Sequence, residues 1–373
     1  MIAGNLLQQA YNLADTWMVG HFIRADGLAA VGSAFSLMTF LTSVLLGLCM
    51  GCGVIFSQAH GSEDQKRFRA AIQSSFVLVI AVSILLTILA GVFLPFLIFM
   101  MKIPDSLIPM IHDYLVWILP GIPFIGIYNF FASCLRSSED SLSPLIVLVI
   151  SALVNIGLDY LLIVIIPLSA AGAAIASLTA QILAAVLCTI TALKKHAEIR
   201  DSLFMGKWSF FMMRPIFGCS SITCLQQSVM NLGILMVQGL VNSFGTGIMA
   251  AFAAGVKIDS LAYMPLQEFG NAFSIFTAQN YGAGKKERIK KGLQISVLMS
   301  AVYAGLISAL FWLYSENLVQ IFIDPELYSI TADAVHYLHI EGFCILRGRS
   351  TLRSAYSSFS TVISELSVIH GFQ

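Results

Sequence analysis

Long apolar runs separated by short polar turns set the plan of this chain. With about 20 apolar residues per membrane span, the pattern predicts helices over 1–22, 31–57, 70–100, 108–134, 144–166 and 170–193. A polar linker follows over 194–214, and further helices are predicted over 215–243, 248–278, 292–314 and 328–346. Within 108–134, Pro120, Gly121 and Pro123 predict a kinked or broken span, because proline removes a helix hydrogen bond and clashes with the preceding turn. Composition supports the same class: 58% of residues are hydrophobic and 11% charged, with mean hydropathy +0.85. A soluble domain is roughly half apolar and one quarter charged. The expected fold is therefore all-α, a polytopic membrane protein with about 10 transmembrane helices.

The distribution of Lys and Arg predicts topology. Alternate loops carry Lys66, Arg67 and Arg69, then Arg136, then Lys194, Lys195, Arg200, Lys207 and Arg214, then Lys285, Lys286, Arg288, Lys290 and Lys291. The opposite loops hold Arg24 and Lys102, and one is acidic through Glu316, Asp324 and Glu326. The positive-inside rule puts the basic set, and with it the N-terminus, in the cytoplasm. The expected location is the plasma membrane, multi-pass. Formal net charge is zero, which gives no field favouring nucleic acid.

The second half repeats the first. A constant shift of 221 residues carries Gln58–Gly61 (QAHG) onto Gln279–Gly282 (QNYG), Ala29 and Ala30 onto Ala250 and Ala251, Arg67 onto Arg288, and Gln73 onto Gln294. Gln8 and Gln9 pair with Gln226 and Gln227 at a slightly smaller shift. Two copies running in the same direction need an even number of spans each, and six fits, which is a parallel-repeat transporter plan. The expected organisation is an amino-terminal six-helix lobe over 1–193, a cytoplasmic linker over 194–214, and a second lobe over 215–346 that is truncated at four helices. An atypical Ser-rich tail with Arg347, Arg349 and Arg353 fills 347–373. The start runs directly into an intramembrane Asp without a basic signal-peptide region. A missing upstream turn or two is expected there, and a fragment or a frame change near Phe343 at the other end.

Carboxylates inside apolar spans are the candidate chemistry, since each costs roughly 2.5–3.5 kcal/mol on insertion scales. Asp15 interrupts the first span, and Asp159 follows Asn155 by one helical turn, so the two side chains share a face. Such an amide–acid pair can hold a proton or Na⁺; it can also serve as packing glue between helices. Ser177 and Thr179 offer further oxygens on the next span. Gln9, Lys257, Glu268 and Glu341 are substrate-cavity candidates, with an inter-helix structural pair as the other reading of Lys257 and Asp259. His336 and His339 make a poor metal site without a third ligand. Cys49 and Cys52 read as small packing groups beside Gly47, Gly51 and Gly53 rather than as a redox motif.

No G-x-x-x-x-G-K-[ST] and no H-E-x-x-H occur, so neither ATP use nor zinc hydrolysis is expected, and no enzyme is predicted. No cofactor is expected beyond H⁺ or Na⁺ as a coupling ion.

Several segments together are similar to the multidrug and toxic compound extrusion (MATE) family: QQAYNLADTWMVG with LAAVGSA, NIGLDYLLI, GAAIASLTAQ and FTAQNYGAGKKERI. The resemblance spans roughly residues 2–343. It implies two six-helix lobes forming a V, and export of organic cations or other amphipathic compounds in exchange for H⁺ or Na⁺. It also implies an amino-lobe cation site at Asp15, Asn155, Asp159 and Ser177. Where many members hold a seventh-helix Glu, this chain has Gln226 and Gln227, which argues against a second cation site there. Expected partners are a small amphipathic substrate and the lipid bilayer, with the protein acting as a monomer. The alternatives are a lipid-linked oligosaccharide flippase of the same superfamily, disfavoured by the scarcity of intramembrane Arg and Lys, and a non-transporting truncated remnant.

Overall fold

The computed structural model describes residues 18–19, 21–101, 103–205, 209–244, 252, 266–267 and 269–320. Asp15, Gln9, Lys257, Glu268 and Glu341 lie outside the described residues, as do the helix predicted over 328–346 and the tail over 347–373.

The described chain is helical. The first half of the repeat holds α1 (Arg24–Gly61), α2 (Gln65–Val92), the short α3 (Leu94–Met100), α4 (Ile108–Ile118), α5 (Ile122–Ser137), α6 (Leu142–Asp159) and α7 (Ser169–Lys195). The polar linker forms α8 (Ala197–Met205), and α9 (Phe210–Asn242), α10 (residues 269–282) and α11 (Lys286–Gln320) follow. Among the described residues, 7 helical stretches are long and apolar enough to cross a membrane.

Prolines shape two of these stretches. Pro95 ends the run predicted over 70–100 at Val92, and the chain restarts as α3. The expected break in the fourth span is present: a 3₁₀ turn, Leu119–Gly121, separates α4 from α5. The linker also holds more order than its polar composition implies. Ile199 and Ser202 are fully buried where α8 packs on α2 and α7.

Two stacked apolar clusters form the core. One gathers Leu37 and Leu45 of α1 with Ile111 and Leu115 of α4 and Ala173 and Ala174 of α7. The other, toward the basic loops, centres on Phe130, which meets Phe56 edge-on at 5.9 Å and Phe76 at 5.2 Å. Outward faces stay apolar, as in Leu85, Ile88 and Val92 of α2, the surface a lipid-facing helix presents.

The two halves of the repeat are joined where α1 and α9 pack antiparallel. A Cβ at Gly51 would lie 2.5 Å from the Ser220 Cα, and one at Gly47 would lie 2.5 Å from the Cys224 Cα. Only glycine lets the backbones approach this closely. Ser220 Oγ donates to the Leu48 carbonyl at 3.2 Å, and Cys224 Sγ to Val44 at 3.2 Å.

The internal repeat is visible in the main-chain bonds. After α1, the amides of Ser62, Glu63, Asp64 and Gln65 bond the carbonyls of Gln58, His60, Ala59 and Glu63. After α10, the amides of Ala283, Gly284, Lys285 and Lys286 bond Gln279, Tyr281, Asn280 and Gly284. Every donor and acceptor of the first set maps onto the second by the same 221-residue shift (58 to 279). Both are Schellman terminations with a left-handed residue at the same place, Glu63 at φ 57° and Gly284 at φ 70°.

Candidate functional site

α6 carries the first-lobe candidates. Its buried positions, Val147, Ser151, Ala152, Asn155 and Asp159, fall on one face, and Asn155 and Asp159 are both 0% exposed. The helix packs chiefly on α7. Immediately after Asp159 the chain widens into a π-helical turn, Tyr160–Ile165. Such turns recur at functional sites because they free backbone groups and re-aim the neighbouring side chains. The apolar sequence YLLIVI carries no signal for it.

The register against α7 follows from a close approach: a Cβ at Gly172 would stand 2.8 Å from the Leu162 carbonyl oxygen. With α6 and α7 antiparallel, moving three residues along each brings Asp159 about level with Ile175, and half-buried Ser177 follows within the next turn. Among the described residues, neither the Asn155 amide oxygen nor its nitrogen has a hydrogen-bond partner. A fully buried amide normally has one. Thr179 does not join this group: it is exposed, and its hydroxyl donates to the Ile175 carbonyl at 2.8 Å.

One turn beyond Ser177, Gln181 extends the same side of α7 toward the broken span. Its Oε1 is buried without a partner among the described residues, and it occupies the space a Cβ at Gly121 would need.

A second polar feature runs along α9. Ser220, Thr223, Gln227, Asn231, Gln238 and Asn242 are all buried and recur at near-helical spacing. Gln267 Nε2 donates to Gln227 Oε1 at 2.9 Å, and Asn231 Nδ2 to the Gln227 carbonyl at 2.9 Å. Ser36 Oγ donates to Gln238 Oε1 at 3.5 Å, and Asn242 Nδ2 to the Met101 carbonyl at 2.9 Å. The sequence reading noticed the Gln226–Gln227 pair and missed the stripe. Its signal was available in the spacing of Thr223, Gln227 and Asn231.

Both thiols of Cys49 and Cys52 are buried: Cys52 Sγ lies at the α1–α9 seam, 3.9 Å from Ser220 Oγ, and Cys49 Sγ faces α5, 3.9 Å from the Gly126 carbonyl. Among the described residues, no three His, Cys, Asp or Glu side chains gather into a metal-binding group.

The basic side of the molecule has its own cluster. Asp140, in the turn before α6, accepts from the Ser143 amide at 2.9 Å, the Ser143 hydroxyl at 2.6 Å and Lys195 Nζ at 2.9 Å. His196 Nε2 lies 3.4 Å away. Burial alone would raise this carboxyl, but the bonds from Ser143, Lys195 and His196 outweigh it and hold it well below the usual carboxylate range.

The MatE family profile matches residues 1–161 and 221–348, which covers both halves of the repeat. The chain belongs to the MatE family. The probable multidrug resistance protein YoeA of Bacillus subtilis is 25% identical over 337 residues, covering 87% of this chain and 72% of the relative. An FAD transporter of Shewanella oneidensis is 24% identical over 327 residues, covering 85% and 71%. Among solved structures, the outward-facing conformation of a multidrug resistance MATE family transporter of the MOP superfamily superposes with a TM-score of 0.83. It covers 97% of this chain and 82% of that one at 20% identity, a likeness of fold. This is therefore a multi-pass membrane protein of a transporter family, and the buried polar groups of α6 and α9 belong to a transport scaffold.

Proposed function

We propose that this MATE protein is a cation-coupled antiporter that exports organic cations or other amphipathic compounds by alternating access. The observation that carries the reading is the α6 pair: Asn155 and Asp159, fully buried one turn apart at the mouth of a π-helical turn, with the Asn155 amide lacking a protein partner among the described residues. A polar site of this kind inside a membrane bundle is expensive unless something binds there. Asp15 and Ser177 complete the proposed set, with H⁺ or Na⁺ as the coupling ion.

Cation binding at these oxygens favours one arrangement of the first lobe and substrate the other, because only a ligand with different affinity for two states shifts their balance. The proposed protein works as a monomer in the plasma membrane, with its amino end and basic loops in the cytoplasm. The relatives carry names for different cargo, multidrug resistance for YoeA and FAD for the Shewanella protein. Cargo is therefore part of the test.

Efflux of a fluorescent cationic dye, and separately release of FAD, is to be followed from cells expressing the chain and its Asp15→Asn and Asp159→Asn variants. Export that both substitutions abolish at unchanged expression is expected, and undiminished export in both would overturn the assignment. Reconstituted vesicles with an imposed pH or Na⁺ gradient identify the coupling ion.

A further inference from the structure

The ends of α1 and α10 touch in a reciprocal way. A Cβ at Gly61 would lie 2.2 Å from the Gln279 carbonyl oxygen, and a Cβ at Gly282 would lie 2.3 Å from the Gln58 carbonyl oxygen. Gly61 and Gly282 are repeat equivalents, and so are Gln58 and Gln279. Each lobe therefore offers a glycine to the other lobe's carbonyl through the same four residues, with the Cα hydrogen that replaces a side chain directed at the oxygen.

We propose that this glycine-to-carbonyl contact between Gly61–Gln279 and Gly282–Gln58 is the cytoplasmic gate, a latch whose parting opens the space between the lobes to the basic side. The proposal rests on the alternating-access reading above. It adds the place where the lobes separate and the residues that set the closed state.

Three features favour a latch over a permanent seam. At the two glycines the contact joins main chain to main chain, whereas deeper in the bundle α1 and α9 are also tied by Ser220 and Cys224 hydrogen bonds to Leu48 and Val44. Each helix end finishes in a fully bonded Schellman turn, so it can move as a rigid unit. The contact also brings two turns toward each other that both stay net positive, Lys66, Arg67 and Arg69 outweighing Glu63 and Asp64 on one and Lys285, Lys286, Arg288, Lys290 and Lys291 outweighing Glu287 on the other, so like charge opposes closure. A side-chain bond across the lobes, Gln279 Nε2 to the Ser137 carbonyl at 3.1 Å, adds to the closed state, while Gln58 is held within its own lobe by Arg67 Nη2 at 3.2 Å.

Alanine at either glycine places a methyl group against backbone that cannot swing away, so it selects against closure. The test uses the full chain with spin labels at Glu63 and Lys286, attached through a non-natural ketone residue so that the buried thiols stay native. Electron–electron dipolar distances are then measured in lipid nanodiscs. Gly61→Ala and Gly282→Ala should each lengthen the Glu63–Lys286 distance by roughly 5 Å or more, the scale of a one-turn displacement. Gly305→Ala, whose added methyl has no neighbour within 4 Å, should leave it unchanged. An unmoved distance in both folded alanine variants, or equal lengthening with Gly305→Ala, would overturn the gate.

Should the alanine variants fail to fold, Gln279→Ala removes the bond to Ser137 without adding an atom. It is expected to lengthen the same distance, and an unmoved distance there also overturns the proposal. The measurement needs neither cargo nor coupling ion. Labels that part in a protein that exports nothing would refute the transport reading alone, and export with unmoved labels would refute the gate alone.

Discussion

The side-chain amide of Gln267 donates to the Gln227 carboxamide oxygen at 2.9 Å, joining α9 to the helix beside it. Gln227 is 6% exposed, so removing its acceptor leaves a donor on Gln267 without its bond. Inter-helix bonds of this kind contribute about 0.6–1.7 kcal/mol in membrane proteins. Gln227→Leu is expected to lower the unfolding temperature in detergent by a few degrees, whereas Gln227→Glu keeps an acceptor and stays near the parent. Equal stability of all three would show that the bond contributes nothing.

Close packing of the lobes makes a second expectation position-specific. A Cβ at Gly51 would meet the Ser220 Cα at 2.5 Å, while one at Gly53 would meet the Ser133 Cβ at an ordinary 3.5 Å. Gly51→Ala should destabilise by about 1–3 kcal/mol through overpacking, and Gly53→Ala should be tolerated. Thermal unfolding of the purified variants compares them directly. A Gly53→Ala loss as large as that of Gly51→Ala would contradict the seam geometry.

Two helix ends on the basic side of the molecule hold glutamate where the backbone is left-handed, Glu63 at φ 57° and Glu139 at φ 66°. The repeat equivalent of Glu63 is already Gly284, at φ 70°. A left-handed L-residue costs roughly 1–2 kcal/mol, part of which glycine gives back through the freedom of its unfolded chain. Glu63→Gly and Glu139→Gly should each stabilise by about 0.5–1 kcal/mol, read as a raised unfolding temperature. A fall in both would mean that these side chains carry contacts beyond the turn.

Asp140 supplies a pH-dependent contribution. Its carboxyl is depressed in the folded protein by Ser143, Lys195 and His196, against an unfolded value of about 3.9. A depressed acid stabilises fully above the unfolded pKa, and the contribution is lost as pH falls through the carboxylate range toward the folded value. The difference in unfolding temperature between the parent and Asp140→Asn is expected to be constant above about pH 5 and to shrink below it. A difference that grows on acidification would reverse the sign and refute the assignment.

Much of this molecule was legible along the chain. Apolar run length placed the helices that the described residues form, because a bilayer of fixed thickness requires about 20 apolar residues and leaves no alternative to helix for a spanning segment. Pro120, Gly121 and Pro123 announced the broken span, since proline chemistry acts locally. The match of QAHG with QNYG announced the repeat, and the paired Schellman turns bear it out bond for bond. That Asn155 and Asp159 share one face followed from helical spacing alone, and the structure buries that face.

Only tertiary structure decided the rest, because it depends on what stands opposite each residue. Thr179 shares an apolar helix with Ser177, yet it faces outward and bonds its own backbone. The π-helical turn after Asp159 arises in a run of apolar residues with no local marker, where α7 presses Gly172 against Leu162. The equivalence of Gly61 and Gly282 could be read from sequence, but not that each would lie against the other's partner carbonyl. Sequence similarity reports that two segments fold alike, whereas contact between them is set by how the lobes are brought together in space.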